Sequence, residues 1–250
     1  MTARLCLGKT MAKYYPIPHN SDEWFQCRRG IPTSSCFDKI VTPTGKFSKQ
    51  SEDYAYILLG ELVTGENLDT FPPTYDMERG HILEYEASKL YEFETGFTID
   101  RGGFITDDLA RWGCSPDRRV LDKSGNVIGA LEIKCPKINT QLKNLRRKDI
   151  DPKYNPQVQG QMFVGEFQFV DWFSYHPDTG PALVRTERND EYIEILSRGL
   201  HEFDEMMKRF AKELVESGGL SQMPVKVMPE IRDGVQDLID GNIETTLTAG

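Results

Sequence analysis

The chain has 250 residues, 38% of them hydrophobic and 10% aromatic, which suffices for the core of one large domain, with or without appendages. No apolar run reaches membrane-spanning length, Met1–Lys13 lacks the apolar stretch of a secretory signal, and the five scattered cysteines (Cys6, Cys27, Cys36, Cys114, Cys135) contain no C-x-x-C pair; these features disfavour a membrane protein and a zinc or iron–sulfur protein, and favour a cytoplasmic chain with reduced thiols. The net charge of −9 is unevenly spread: residues 187–250 hold 7 basic and 14 acidic residues, residues 1–60 hold 8 basic and 5 acidic, and Lys137, Lys143, Arg146, Arg147 and Lys148 form a second basic cluster, so basic patches remain for phosphate groups.

In chain order, Ser21 is expected to cap a short helix over Asp22–Arg29, stopped by Gly30-Ile31-Pro32. Thr33-Ser34-Ser35 opens a second helix carrying Phe37 and Ile40, and Ser51–Val63 a third, with Tyr54, Ile57, Leu58 and Leu62 at helical spacing. Residues 75–95 form a central helix whose apolar faces come from Met77, Ile82, Tyr85, Ala87, Leu90 and Tyr91. The period then changes. Phe97–Ile99, Gly103–Ile105, Trp112–Ser115, Val120–Leu121 and Val127–Lys134 read as successive strands separated by turn residues. Helices resume at Gln141–Arg147 and Gln157–Val164, strands return at Phe167–Tyr175 and Ala182–Thr186, and Asp190–Val215 is a long amphipathic helix. The order predicts an α/β (α+β) fold with a central mixed sheet between helices. It divides as one unit over residues 1–217 (a helical part at 21–95, a sheet core at 97–187, a long helix at 190–215) and a loosely attached tail over 218–250, with a short helix at Ile231–Ile239.

The chemistry concentrates at Cys114-Ser115-Pro116-Asp117 and Leu131-Glu132-Ile133-Lys134-Cys135-Pro136. In a strand, residues 132 and 134 share a face. A hairpin partner would bring Asp117 beside them. Two carboxylates form a hard oxygen site suited to Mg²⁺, and a neighbouring ammonium can orient a water and steady charge on a phosphate. A Glu-x-Lys pair alone is ordinarily a solvated surface feature; the apolar flanks and the framing prolines set this one apart.

Trp24…Arg28-Arg29-Gly30-Ile31…Ser34-Ser35, Arg79-Gly80…Glu84-x-x-Ala87, the Asp117 and Glu132–Lys134 segments, and Gln157-Val158-Gln159-x-Gln161-Met162 follow one another in an order that resembles the lambda-type phage exonucleases, or YqaJ-type viral recombinases, of the PD-(D/E)XK nuclease superfamily. The resemblance implies a restriction-endonuclease-like core and a Mg²⁺-dependent 5′→3′ exonuclease, with Mn²⁺ as a plausible substitute and two ions in the site. Asp117, Glu132 and the Ile133 carbonyl match metal ligands, Glu84 an additional acid at the second metal, Lys134 the catalytic lysine, and Gln157 a polar residue that holds water or phosphate. Arg28 and Ser35 match a pocket for a terminal 5′-phosphate, which suits a forked guanidinium, and Met77 an apolar wedge at the terminal base pair. Also implied are duplex DNA ends as substrate, a homotrimeric ring, and a single-strand annealing protein as recombination partner. Arg118-Arg119 stands where the family often has Gly. A restriction- or repair-type endonuclease and a non-catalytic DNA-end-binding module are the alternatives.

Overall fold

The computed structural model describes residues 12–68 and 75–229, with side chains from 79 onward in the second stretch; the expected Ile231–Ile239 helix and the Met77 side chain lie outside the described residues. Six α-helices follow the expected positions: α1 (Asp22–Arg28), α2 (Ser51–Thr64), α3 (Tyr75–Thr95), α4 (Ile138–Arg147), α5 (Asn155–Val164) and α6 (Asp190–Glu216). Ser21 caps α1 by accepting from the Trp24 N–H at 3.2 Å, and Asn189 does the same for α6 through Tyr192 at 3.0 Å. The segment Ser34–Lys39 is a 3₁₀ helix, not the α-helix expected, and Thr33 makes no side-chain cap bond there. It is cut short by a tight turn, in which Gly45 N–H donates to the Thr42 carbonyl at 2.9 Å.

Among the described residues the strands form two sheets where one mixed sheet was expected. β2 (Thr98–Arg101), β5 (Arg118–Leu121), β6 (Val127–Lys134), β7 (Phe169–Ser174) and β8 (Ala182–Glu187) make a five-stranded mixed sheet in that order. Only β6 and β7 pair parallel; the other neighbours are antiparallel. β1 (Lys13–Tyr15), β3 (Phe104–Thr106) and β4 (Gly113–Cys114) form a separate antiparallel sheet in the order β1-β3-β4. Helices cover both faces of the mixed sheet, as a parallel pair at its centre requires. Leu131, Ile133, Phe169 and Phe173 pack with Ala87 and Tyr91 of α3. Ala130, Val170 and Trp172 pack on the other side with residues of α2, α5 and α6. This is the mixed α/β core predicted from the order of elements.

Two departures bear on the site. Ile82 and Tyr85 of α3 are 76% and 68% exposed, because α3 covers the sheet through a narrow stripe centred on Ala87 and Tyr91. The segment after α6, expected to hang loosely, lies against α1, with Lys226 bonded to its last turn and Met228 packed on the cluster of Cys27 and Ile31. Among the described residues, no helix is long and apolar enough to cross a membrane.

Candidate active site

β6 alternates as a strand must: Leu131 and Ile133 point into the core beneath α3, so Glu132 and Lys134 project from the opposite face, beneath α5. Glu132 is 3% exposed. Its Oε1 accepts from Lys134 Nζ at 2.5 Å and from Gln157 Nε2 at 2.6 Å, and its Oε2 accepts from Gln161 Nε2 at 2.6 Å. A buried carboxylate needs such partners, and here both oxygens have them. Lys134 also lies 5.3 Å from the Tyr154 ring centroid, a cation–π contact.

Asp117 stands one step before the pair Arg118–Leu131 of the β5–β6 ladder, and its Oδ2 accepts from the Ile133 N–H at 2.6 Å. A strand residue sends its N–H and C=O to the same edge, so the Ile133 carbonyl lies on the Asp117 side. Gly102 makes room for this turn: a Cβ there would stand 1.5 Å from the Pro116 carbonyl oxygen. Burial, then the Glu132 charge, then Glu84, hold the Asp117 carboxyl well above its usual range against the opposing pull of Lys134. Desolvation acts to lower Lys134, but the Glu132 and Asp117 carboxylates outweigh it and keep the ammonium above its ordinary value. Asp117, Glu132 and Lys134 therefore converge.

Glu84 of α3 reaches the same region with a guanidinium on it: Arg118 Nη1 donates to its Oε1 at 2.7 Å and to the Asp117 carbonyl at 2.6 Å. Among the described residues, no three His, Cys, Asp or Glu side chains are arranged to hold a metal ion. The donor chemistry nonetheless fits a hard divalent cation at Asp117 and Glu132, since two neighbouring carboxylates in a buried setting repel each other and share the charge of Lys134. At Glu84 the guanidinium of Arg118 stands where a cation would draw the oxygen.

The basic N-terminal part forms a second cluster. Arg28 Nη2 donates to Ser35 Oγ at 3.4 Å, and its guanidinium lies 4.4 Å over the Trp24 ring. Trp24 Nε1 donates to Ser115 Oγ at 2.8 Å, and Ser115 donates to the Gly103 carbonyl at 2.7 Å. His19 closes the group, with Nε2 2.9 Å from Ser115 Oγ; burial lowers its imidazole below the ordinary range. The Arg28 platform is thus tied to the residue two positions before Asp117.

Sequence reasoning missed several of these roles. Gln161 follows Gln157 by one helical turn, and that i, i+4 spacing places both amides over Glu132. Arg79 donates to the Pro136 carbonyl at 2.7 Å, fastening α3 to the end of β6; a lone arginine gives no such signal. Arg118 answers Glu84, a pairing that needs the hairpin to be built first.

The YqaJ-like viral recombinase domain matches residues 23–168. The chain is similar to an alkaline exonuclease (LHK-Exo) of Laribacter hongkongensis, at 27% identity and a TM-score of 0.69 over 80% of this chain and 98% of that one; the same exonuclease in complex with dAMP gives a TM-score of 0.70 over the same shares at 27% identity. A phage related exonuclease from Haemophilus somnus 129PT shares the fold, at 14% identity and a TM-score of 0.53 over 74% of this chain and 96% of that one. No curated protein matches the chain. The match to the recombinase domain spans more than half of the chain, takes in Asp117, Glu132, Lys134 and both glutamines, and settles its kinship: the chain belongs to the family of YqaJ-like viral recombinase domains.

Proposed function

We propose that the protein is a metal-dependent deoxyribonuclease that degrades one strand of duplex DNA from a 5′ end and leaves a 3′ single-stranded overhang. The observation that carries this reading is the convergence of Asp117, Glu132 and Lys134 on one edge of β6. The similar exonuclease solved with dAMP adds support, since a deoxynucleoside monophosphate is the product of such cutting.

Mg²⁺, or Mn²⁺ in its place, held by Asp117, Glu132 and the Ile133 carbonyl, with Glu84 at a second ion, would withdraw charge from the scissile phosphate and acidify a water. The chain's own groups do the rest. Lys134, kept charged by its carboxylate neighbours, donates to the water or to a phosphate oxygen and steadies the negative charge that builds there. Gln157 and Gln161 hold Glu132 in one orientation, so its oxygens need no reorganisation. Arg28 and Ser35 take the terminal 5′-phosphate through a forked guanidinium and a hydroxyl, and family kinship supports Met77 as the apolar wedge at the terminal pair. These contacts address backbone, so cutting is independent of base sequence. Family kinship supports a homotrimeric ring around DNA, hence processive action, and a single-strand annealing protein as partner.

Linear duplexes with 5′-phosphate or 5′-hydroxyl ends and a closed circular duplex, each with Mg²⁺ or EDTA, test the reading. The expected result is digestion of linear duplexes with Mg²⁺ and not with EDTA, faster from the 5′-phosphorylated end than from the 5′-hydroxyl end, and an intact circle. Lys134→Ala should abolish cleavage and keep end binding. Cutting of the circle would point to an endonuclease, and undiminished cleavage by the lysine variant would remove Lys134 from the mechanism.

A further inference from the structure

Arg28 sits at the end of α1, where the last carbonyls have no partner inside the helix. Their partner comes from the far end of the chain. Lys226 Nζ donates to the carbonyls of Gln26, Cys27 and Arg29 at 2.7, 2.8 and 2.6 Å, using every donor an ammonium has. A cation there also faces the negative end of the helix dipole. From the opposite side Glu61 of α2, 5% exposed, accepts from the Gly30 N–H at 2.8 Å and the Leu68 N–H at 3.1 Å. The Arg28-Arg29-Gly30 turn is therefore gripped by a cation on its carbonyls and an anion on its N–H.

The segment carrying Lys226 is an extended strap. Val225 and Val227 are 72% and 66% exposed, while Lys226 and Met228 turn inward, the alternation of an extended chain. Met228 packs on the cluster of Cys27, Ile31 and Phe104, which Trp24 also packs against. The strap thus meets both the end of α1 and the apolar cluster against which the Trp24 ring also packs.

We propose that Lys226 is a positioning residue for the DNA-end pocket: it caps α1 from the C-terminal strap, with Glu61 as its counterpart, and so fixes Arg28 in the attitude that receives a terminal 5′-phosphate. The proposal rests on the reading of Arg28 as the phosphate ligand. Lys226 lies outside the catalytic cluster, so its loss acts on end capture and not on the cutting step.

Full-length Lys226→Met, Lys226→Arg and Lys226→Gln decide it. In the Met variant, loss of these bonds should raise KM for the 5′-phosphorylated duplex about tenfold with kcat nearly unchanged, leave the 5′-hydroxyl duplex unaffected, and speed amide exchange at residues 26–31 but not in β6 or α5. Lys226→Arg restores the wild-type KM, and Lys226→Gln, which keeps one donor group, falls between even if the Met variant does not fold. Equal loss of kcat on both ends, or unchanged exchange at residues 26–31, overturns the proposal. A wild-type preference for the phosphorylated end that all three variants retain removes Lys226 alone. A wild-type enzyme blind to the 5′ group removes the Arg28 reading and the substrate part of this proposal with it.

Discussion

Gln161 shows how a buried amide fixes the setting of a neighbouring carboxylate. Its Nε2 is the donor to Glu132 Oε2, while its own Oε1 is buried without a partner, an arrangement that costs stability while aiming the amide at the carboxylate. Gln161→Met removes the unpaired oxygen and the donor together. A hydrogen bond to a charged group contributes about 1.5–3 kcal/mol, so cleavage should fall roughly ten- to a hundredfold while the melting temperature changes little; a variant that cuts at the wild-type rate would show that Glu132 needs no second amide. The spacing of Glu132 and Lys134 was legible because a strand has only two faces. Their partners were less so: the resemblance gave Gln157 as a holder of water or phosphate and not as the donor to Glu132 that it is, and the Arg118–Glu84 pair depends on a contact between α3 and β5 that no local pattern encodes.

Among the elements, those with long periodic patterns were readable: the limits expected for β6 are those found, and α3 and α6 fall within a residue of their expected ends. β1 was not, since three residues carry too little pattern and its pairing with β3 spans about ninety positions. The separation into two sheets was equally hidden, because alternation names a strand's faces but not its neighbours. The turn after α1 was read correctly as a stop, and its geometry makes a firm demand. Gly30 has φ +72°, and a Cβ there would lie 2.2 Å from Leu62 Cδ2. Gly30→Ala should therefore destabilise the fold by about 1–3 kcal/mol, measured as a lower denaturant midpoint at constant slope; an unchanged midpoint would mean that α1 and α2 separate freely.

For the whole molecule, the strap adds a pH signature. Burial lowers the Lys226 ammonium from 10.5 to about 8, with Cys27, Arg29 and Glu61 as the charged or titratable groups around it. The unfolded chain then holds more protons than the folded one between about pH 8 and about pH 10, so this position adds stability as pH rises through that window and is silent below it. Denaturant unfolding at the two ends of the window should show the wild type gaining on Lys226→Met toward the alkaline end; a constant difference would contradict a buried cation. Light scattering checks the proposed ring, with a mass three times that of the chain expected and a monomer alone excluding it. Finally, β6 and β7 are parallel, and the crossover that joins them holds α4 and α5, hence Gln157 and Gln161. Glu132 precedes its two amide partners in the chain by 25 and 29 positions. A chain cut before the crossover would therefore carry Glu132 without either of the amides that hold its two oxygens.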